Sequence, residues 1–131
     1  MLVLVLADNL VLMFAGWEGV GFCSWLLIGF WYKRPTAIFA NLKAFVVNRI
    51  GDFGFIVGIA VIVAYMGSLD YAEVFARVHQ AIGHDLYLTP GEPSKVITVI
   101  CVALFLGAMG KSAQVPLHVW LPDSMEGPTP I

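Results

Sequence analysis

Residues 107–130, GAMGKSAQVPLHVWLPDSMEGPTP, set a lysine, Lys111, at the far end of a long apolar run and follow it at once with prolines. An ammonium in such a place needs a reason. The chain of 131 residues is 60% apolar and only 12% charged, about half the charged share of a soluble domain, which runs near ~25%. The solvent it is built for is lipid. A net charge of -2 gives no reason to invoke nucleic acid as a partner.

Outward from Lys111, three long apolar segments emerge. They run from about residue 9 to 32, 39 to 66 and 96 to 115, each close to the ~20 residues that cross a ~30 Å hydrocarbon core. None shows the period-two alternation of a barrel strand, so helices are the only form that satisfies their backbone in lipid. The expected fold is all-α: a polytopic transmembrane helix bundle with a discontinuous helix, whose broken continuation covers 116–126. Residues 1–8, MLVLVLAD, lack the basic start and small-residue cleavage site of a secretory signal. They read as the tail of a preceding span, and both ends of the chain read as interior to something longer.

The loops differ in charge. KRPTAIFANLK carries Lys33, Arg34 and Lys43 without an acid, whereas residues 67–95 hold Asp70, Glu73, Asp85 and Glu92 against Arg77 and Lys95. The positive-inside rule places the first on the cytoplasmic or matrix side and the second outside. In the outer loop Leu69, Ala72, Val74, Phe75, Val78 and Ile82 predict a short amphipathic helix at the interface. The turn-prone TPGEPS closes that loop before the third span.

Ionisable groups inside spans are the informative ones. Glu18 lies roughly 13 Å into the first span, too deep for its short side chain to reach water. Asn48, Arg49 and Asp52 share one face of the second span and can pair locally. Lys111 sits roughly 24 Å along the third from Lys95. Each such charge costs about 2.5–3.5 kcal/mol to insert, so each should face protein or water. Glu18 and Lys111 have no opposite charge within a turn of their own helix and must find partners across helices. Pro116 cannot donate to the Ser112 carbonyl, which predicts a helix break just past the lysine. Gly16, Gly19 and Gly21 bracket Glu18, and Ala103, Gly107 and Lys111 share a stripe, a signal of close helix approach. Cys23 and Cys101 stand far apart in sequence, outside any metal or redox motif, and read as small apolar residues.

GWEGVGFCSWLLIGFWY, NRIGDFGF and GKSAQVPLHVWLPDSMEGPTP together resemble the subunit L/chain 5 family of antiporter-like membrane subunits of NADH:quinone oxidoreductase, respiratory complex I. The resemblance covers nearly the whole chain apart from the outer loop. It implies an antiporter-like inverted-repeat fold, of which this chain holds about helices 4 to 8. It implies proton translocation coupled to electron transfer from NADH to quinone in other subunits, with Glu18 and Lys111 as the charged pair of one half-channel. Arg49 and Asp52 would modulate or relay, and His118, just past the break, is a possible relay with a role at the break or an interface as the alternative. FMN, iron-sulfur clusters, NADH and quinone would belong to other subunits, with no cofactor and no metal held by this chain. Its partners would be the other membrane subunits and the lipid of a bacterial inner or mitochondrial inner membrane. Two other readings share these residues: the large subunit of a multisubunit cation/proton antiporter, and a structural membrane scaffold in which the charges fix packing.

Overall fold

Asn9 starts the first long helix, α2 (Leu10–Ile28): its extended backbone lets its side-chain oxygen accept the Leu12 amide at 2.8 Å, meeting one of the orphan donors of the first turn. This is a computed structural model, and it describes residues 1–89 and 92–128. One helical turn, α1 (Leu2–Val5), precedes α2 and lies against it at Gly16, where an added Cβ would come within 2.6 Å of the Leu4 backbone nitrogen.

The spine of the molecule is α3 (Pro35–Met66), which begins on Pro35 and therefore takes Lys43, expected in the basic connection, into its third turn. Proline suits that first position because its missing N–H is one of the orphans there. At the other end Gly67 enters the left-handed region at φ 67°, and its amide returns to the Val63 carbonyl at 2.9 Å. The 32 residues of α3 span roughly 48 Å, more than the hydrocarbon core, so this helix must tilt or project from it. By length and composition, α2 and α3 are both able to cross a membrane. Their outer faces remain apolar, with Phe22, Leu26, Phe39 and Phe53 exposed, as expected for helices solvated by lipid.

Between Met66 and Val96 the chain forms a cap. Helix α4 (Tyr71–Ala81) buries Val74 and Ala81 in one core with Leu10, Ile62, Met66, Val96 and Ile100. Arg77 donates to the Met66 carbonyl at 2.8 Å, satisfying the last turn of α3. Phe75 and Ile82, expected on the same apolar stripe as Val74, point away from this core and stay exposed. The all-helical expectation also omitted a hairpin, β1 (Asp85–Thr89) paired antiparallel with β2 (Glu92–Lys95), in the register Asp85 opposite Lys95. A 2.7 Å ion pair between those two side chains closes its open end. The centre of TPGEPS, Pro90 and Gly91, lies outside the described residues, as do 129–131 at the end of the proline-rich motif.

The third expected span is shorter than its apolar run. Helix α5 (Val96–Lys111) has 16 residues, roughly 24 Å, and stops at the lysine instead of continuing to about 115. The cause is local: Ala113 turns left-handed at φ 49°, and the amides of Ser112, Ala113 and Gln114 fold back onto the carbonyls of Ala108, Gly110 and Met109. Pro116 therefore follows the break instead of making it. Two 3-10 turns, Leu117–Trp120 and Pro122–Glu126, complete the described chain. Helices α3 and α5 pack backbone to backbone where Gly51 meets Gly110, since a Cβ on either would lie 3.1 Å from the other's Cα. A second core, of Ile28, Ala40, Ala44 and Trp120, closes the end of the bundle opposite α4.

Candidate functional site

Three helices bring four ionisable side chains into one chain of alternating sign. Glu18 of α2 meets Arg49 of α3 at 2.5 Å; Arg49 lies 3.6 Å from Asp52, one turn on; and Asp52 lies 3.8 Å from the Lys111 ammonium at the end of α5. Asp52 is the most enclosed of them, its side chain 3% exposed, while Lys111 is 17% exposed. Burial of that kind is tolerable because both signs are present and close. The α5 terminus helps as well, since the partial negative charge of its last carbonyls favours a cation at Lys111.

The pairing differs from the expectation of a direct Glu18–Lys111 pair. Arg49 takes the Glu18 carboxylate, and Asp52, not Glu18, is the acid within ion-pair distance of Lys111. Arg49 has the reach to bridge two helices, whereas the short Glu18 side chain does not. Asn48, expected to join Arg49 and Asp52, instead turns its amide nitrogen back to the Ala44 carbonyl at 2.8 Å. His118 is exposed on the 3-10 turn after the break. Cys23 and Cys101 are free and exposed. Among the described residues no group of His, Cys, Asp or Glu could hold a metal ion.

Of two residues beside the charges, Trp17 had no role assigned from sequence and Gly21 was expected only at a close helix approach. Trp17 donates its indole N–H to Asp52 Oδ1 at 2.9 Å, the same oxygen that faces Lys111. Its ring stacks on Phe55 at 4.9 Å between centroids and lies 6.0 Å from the Lys111 ammonium, within cation–π range. An indole adjacent to a buried acid at mid-span was the available signal, because a buried tryptophan N–H needs an acceptor. Gly21, one turn further along α2, faces Lys111 so closely that a methyl group there would collide with the ammonium. Glycine at 21 leaves the flexible tip of the lysine the room it occupies.

Trp17→Phe is expected to keep the stacking and lose the hydrogen bond to a charged acceptor, lowering stability by about 1.5–3 kcal/mol. Thermal unfolding of the complete membrane protein measures it; an unchanged midpoint would show that the indole N–H does not hold Asp52.

A cleft of about 270 Å³ adjoins the cluster, lined among others by Trp17, Ser24, Ile28, Asn48, Lys111 and Trp120. Trp120 donates its indole N–H to the Gly110 carbonyl at 3.1 Å, which pins the segment after the break to the residue before Lys111. Further along that segment, Lys43 pairs with Asp123 at 2.7 Å and Thr36 donates to Glu126 at 3.1 Å, fastening it to the first half of α3. The arrangement can hold a proton on a lysine, alter that lysine's partners through an arginine, and admit polar groups or water at the broken end of a helix.

Comparison with known proteins gives this arrangement relatives. Residues 7–131 match the family described as "NADH:quinone oxidoreductase/Mrp antiporter, TM". The chain is 59% identical over 132 residues to the NADH-quinone oxidoreductase subunit L of Neisseria meningitidis serogroup B, covering 100% of this chain and 20% of that protein. It is 53% identical over 131 residues to subunit L of Rickettsia felis, 20% of whose length it covers. To the chloroplastic NAD(P)H-quinone oxidoreductase subunit 5 of Zygnema circumcarinatum it is also 53% identical, over 18% of that protein. The chain thus spans about a fifth of the length of these curated relatives.

Proposed function

The chain belongs to the NADH:quinone oxidoreductase/Mrp antiporter transmembrane family, and from that premise we propose that it forms part of a proton-translocating membrane subunit of NADH:quinone oxidoreductase. The observation that carries the proposal is the convergence of Glu18, Arg49, Asp52 and Lys111 from three helices beside a cleft. Charged groups within a membrane are costly and are retained for ion and proton paths. The relatives' names favour the redox-coupled reading over the cation/proton antiporter reading.

In this reading Lys111 is the proton-carrying group and Asp52 is its counter-ion. Arg49 has two acids to choose from. With Arg49 drawn to Glu18, Asp52 is left to Lys111 and the ammonium is stabilised. When Arg49 closes on Asp52, the carboxylate is shared and Lys111 loses its hold on the proton. At an effective dielectric of about 20, a unit charge pair near 4 Å interacts by roughly 4 kcal/mol, so a change of partner is large enough to move a proton. Glu18 and Lys111 thus act as the charged pair of one half-channel, coupled through Arg49 and Asp52 instead of by contact. His118, exposed on the 3-10 turn just past the break, stays in this reading a possible relay at the broken end of the helix.

The wider assembly follows from the same reading. Residues 9–32, 39–66 and 96–115 would belong to the first of two inverted repeats, with the basic connection on the cytoplasmic or matrix side. Residues 1–8 would end a preceding helix. Other membrane subunits would pack against the exposed apolar faces, and NADH, FMN, iron-sulfur clusters and quinone would be handled by other subunits of the complex in a bacterial or mitochondrial inner membrane.

Lys111→Ala in the complete subunit tests the proposal. Proton uptake into vesicles per NADH oxidised is expected to fall several-fold while the complex still assembles and oxidises NADH. An assembled variant that pumps at the unmodified ratio would reduce the cluster to a packing device.

A further inference from the structure

Asn48 stands outside the charged chain yet faces the same cleft. Its amide nitrogen is committed to the Ala44 carbonyl at 2.8 Å, which fixes the side chain and leaves its oxygen, buried, without a protein donor. Lys111 Nζ is likewise buried without a hydrogen-bond partner, and both residues line the cleft, as does Ser24 from the facing wall of α2. One wall thus offers an acceptor and the other a donor. A buried amide oxygen left unsatisfied costs about 1–3 kcal/mol, and water in a polar pocket of sufficient size is the usual remedy. A volume of about 270 Å³ admits several molecules by that measure.

The direction of the cleft matters too. Its lining on α2 runs from Trp17 to Ile28, roughly 16 Å along the axis, away from α4 and towards the basic connection. Its far end meets Ile28, Ala44 and Trp120, the apolar core that closes that end of the bundle. Between Lys111 and that apolar plug, α3 lines the cleft with Arg49, which is committed to Glu18, and with Asn48, whose oxygen has no protein donor.

Resting on the function proposed above, we propose that Asn48 is a positioning residue: its oxygen orders the water held in the cleft on the basic-loop side of Lys111. The amide neither gains nor loses a proton. It accepts a hydrogen bond from a water molecule whose own oxygen can then face the ammonium, so that proton exchange at Lys111 begins on oriented water within the cleft.

The test uses the complete subunit in its assembled complex, in vesicles, with NADH oxidation and proton uptake measured together. Asn48→Leu keeps the bulk and removes the acceptor; proton uptake per NADH is expected to fall several-fold. Asn48→Ser, which restores a hydroxyl and leaves room for water, is expected to recover most of it. Unimpaired pumping by Asn48→Leu would overturn the inference, and so would a serine variant as impaired as the leucine one, because packing alone would then explain both. Should Asn48→Leu fail to assemble, Asn48→Cys in a Cys23→Ser, Cys101→Ser background reads the same point. Its thiol is expected to react with the small water-soluble reagent 2-aminoethyl methanethiosulfonate, scored by mass spectrometry of this subunit; an inert thiol in an intact complex would overturn the inference. Lys111→Ala measured in parallel separates the two levels. Normal pumping by that variant removes the function itself, whereas its failure beside normal Asn48→Leu pumping removes only the role of Asn48.

Discussion

Asp52→Ala is expected to abolish proton pumping and to destabilise the complete subunit more than loss of any other member of the cluster. Asp52 is the residue all its neighbours share: Arg49 at 3.6 Å, Lys111 at 3.8 Å and the Trp17 indole at 2.9 Å. Removing Lys111 leaves Arg49 to balance Asp52. Removing Asp52 leaves a lysine ammonium without an acid in reach and an indole N–H without an acceptor, at a position only 3% exposed. Breaking a buried pair in this way costs about 3–5 kcal/mol. Asp52→Asn divides the effect: the amide oxygen can still accept from Trp17, so much of the stability returns, but the charge does not. Pumping by Asp52→Asn is expected to stay more than an order of magnitude below the unmodified protein, with NADH oxidation as the internal reference. A variant with asparagine here that pumps normally would show that Lys111 needs no counter-ion at 52.

The contrast between Asp52 and Glu18 marks where the sequence stopped being legible. The long helices, the amphipathic cap over Tyr71–Ala81 and the local Arg49–Asp52 pair could all be read from periodicity and spacing, because each depends on residues within a few turns of one another. Which acid serves Lys111 depends on how α2, α3 and α5 are rotated about their axes. Nearly uniform apolarity on all faces hides those rotations. The close approaches decide them: Gly21 opens α2 to the lysine, and Gly51 against Gly110 sets α3 on α5. The end of α5 was hidden for a related reason. Proline predicted a break near 116, yet the chain leaves the helix at Lys111 through a left-handed Ala113, a residue with no strong preference for that conformation. The hairpin that begins at Asp85–Thr89 was missed: DLYLT alternates before a Pro-Gly pair, a short-range strand signal that a reading of the segment as loop did not use. Trp17 was quoted as a motif residue, and its chemistry is evident only once Asp52 is opposite it.

Gly107→Ala, a single added methyl on the lipid-embedded interface of α3 and α5, is expected to disturb the charges without touching one. Its Cβ would lie 2.6 Å from Phe55 Cδ2 and 2.7 Å from Phe55 Cβ. The second of these is fixed to the α3 backbone, so the ring cannot simply swing aside. Phe55 is 5% exposed and stacked on Trp17 at 4.9 Å, so displacement in the other direction pushes Trp17 off Asp52. Overpacking of this kind costs about 1–3 kcal/mol, and part of that cost should appear as impaired pumping through the loosened carboxylate. Phe55→Leu in the same chain removes the obstructing ring but keeps Cβ, and is expected to relieve part of the loss in stability and pumping in the double variant, although each change alone lowers stability. The coupling between the two sites, read from a double-mutant cycle on unfolding and on protons per NADH, is expected to be favourable in both measurements. Coupling in stability without coupling in pumping would confine Gly107 to packing and break the proposed line from Phe55 through Trp17 to Asp52. Additive effects in both would show that α3 and α5 separate as rigid rods to admit the methyl, leaving the aromatic stack in place.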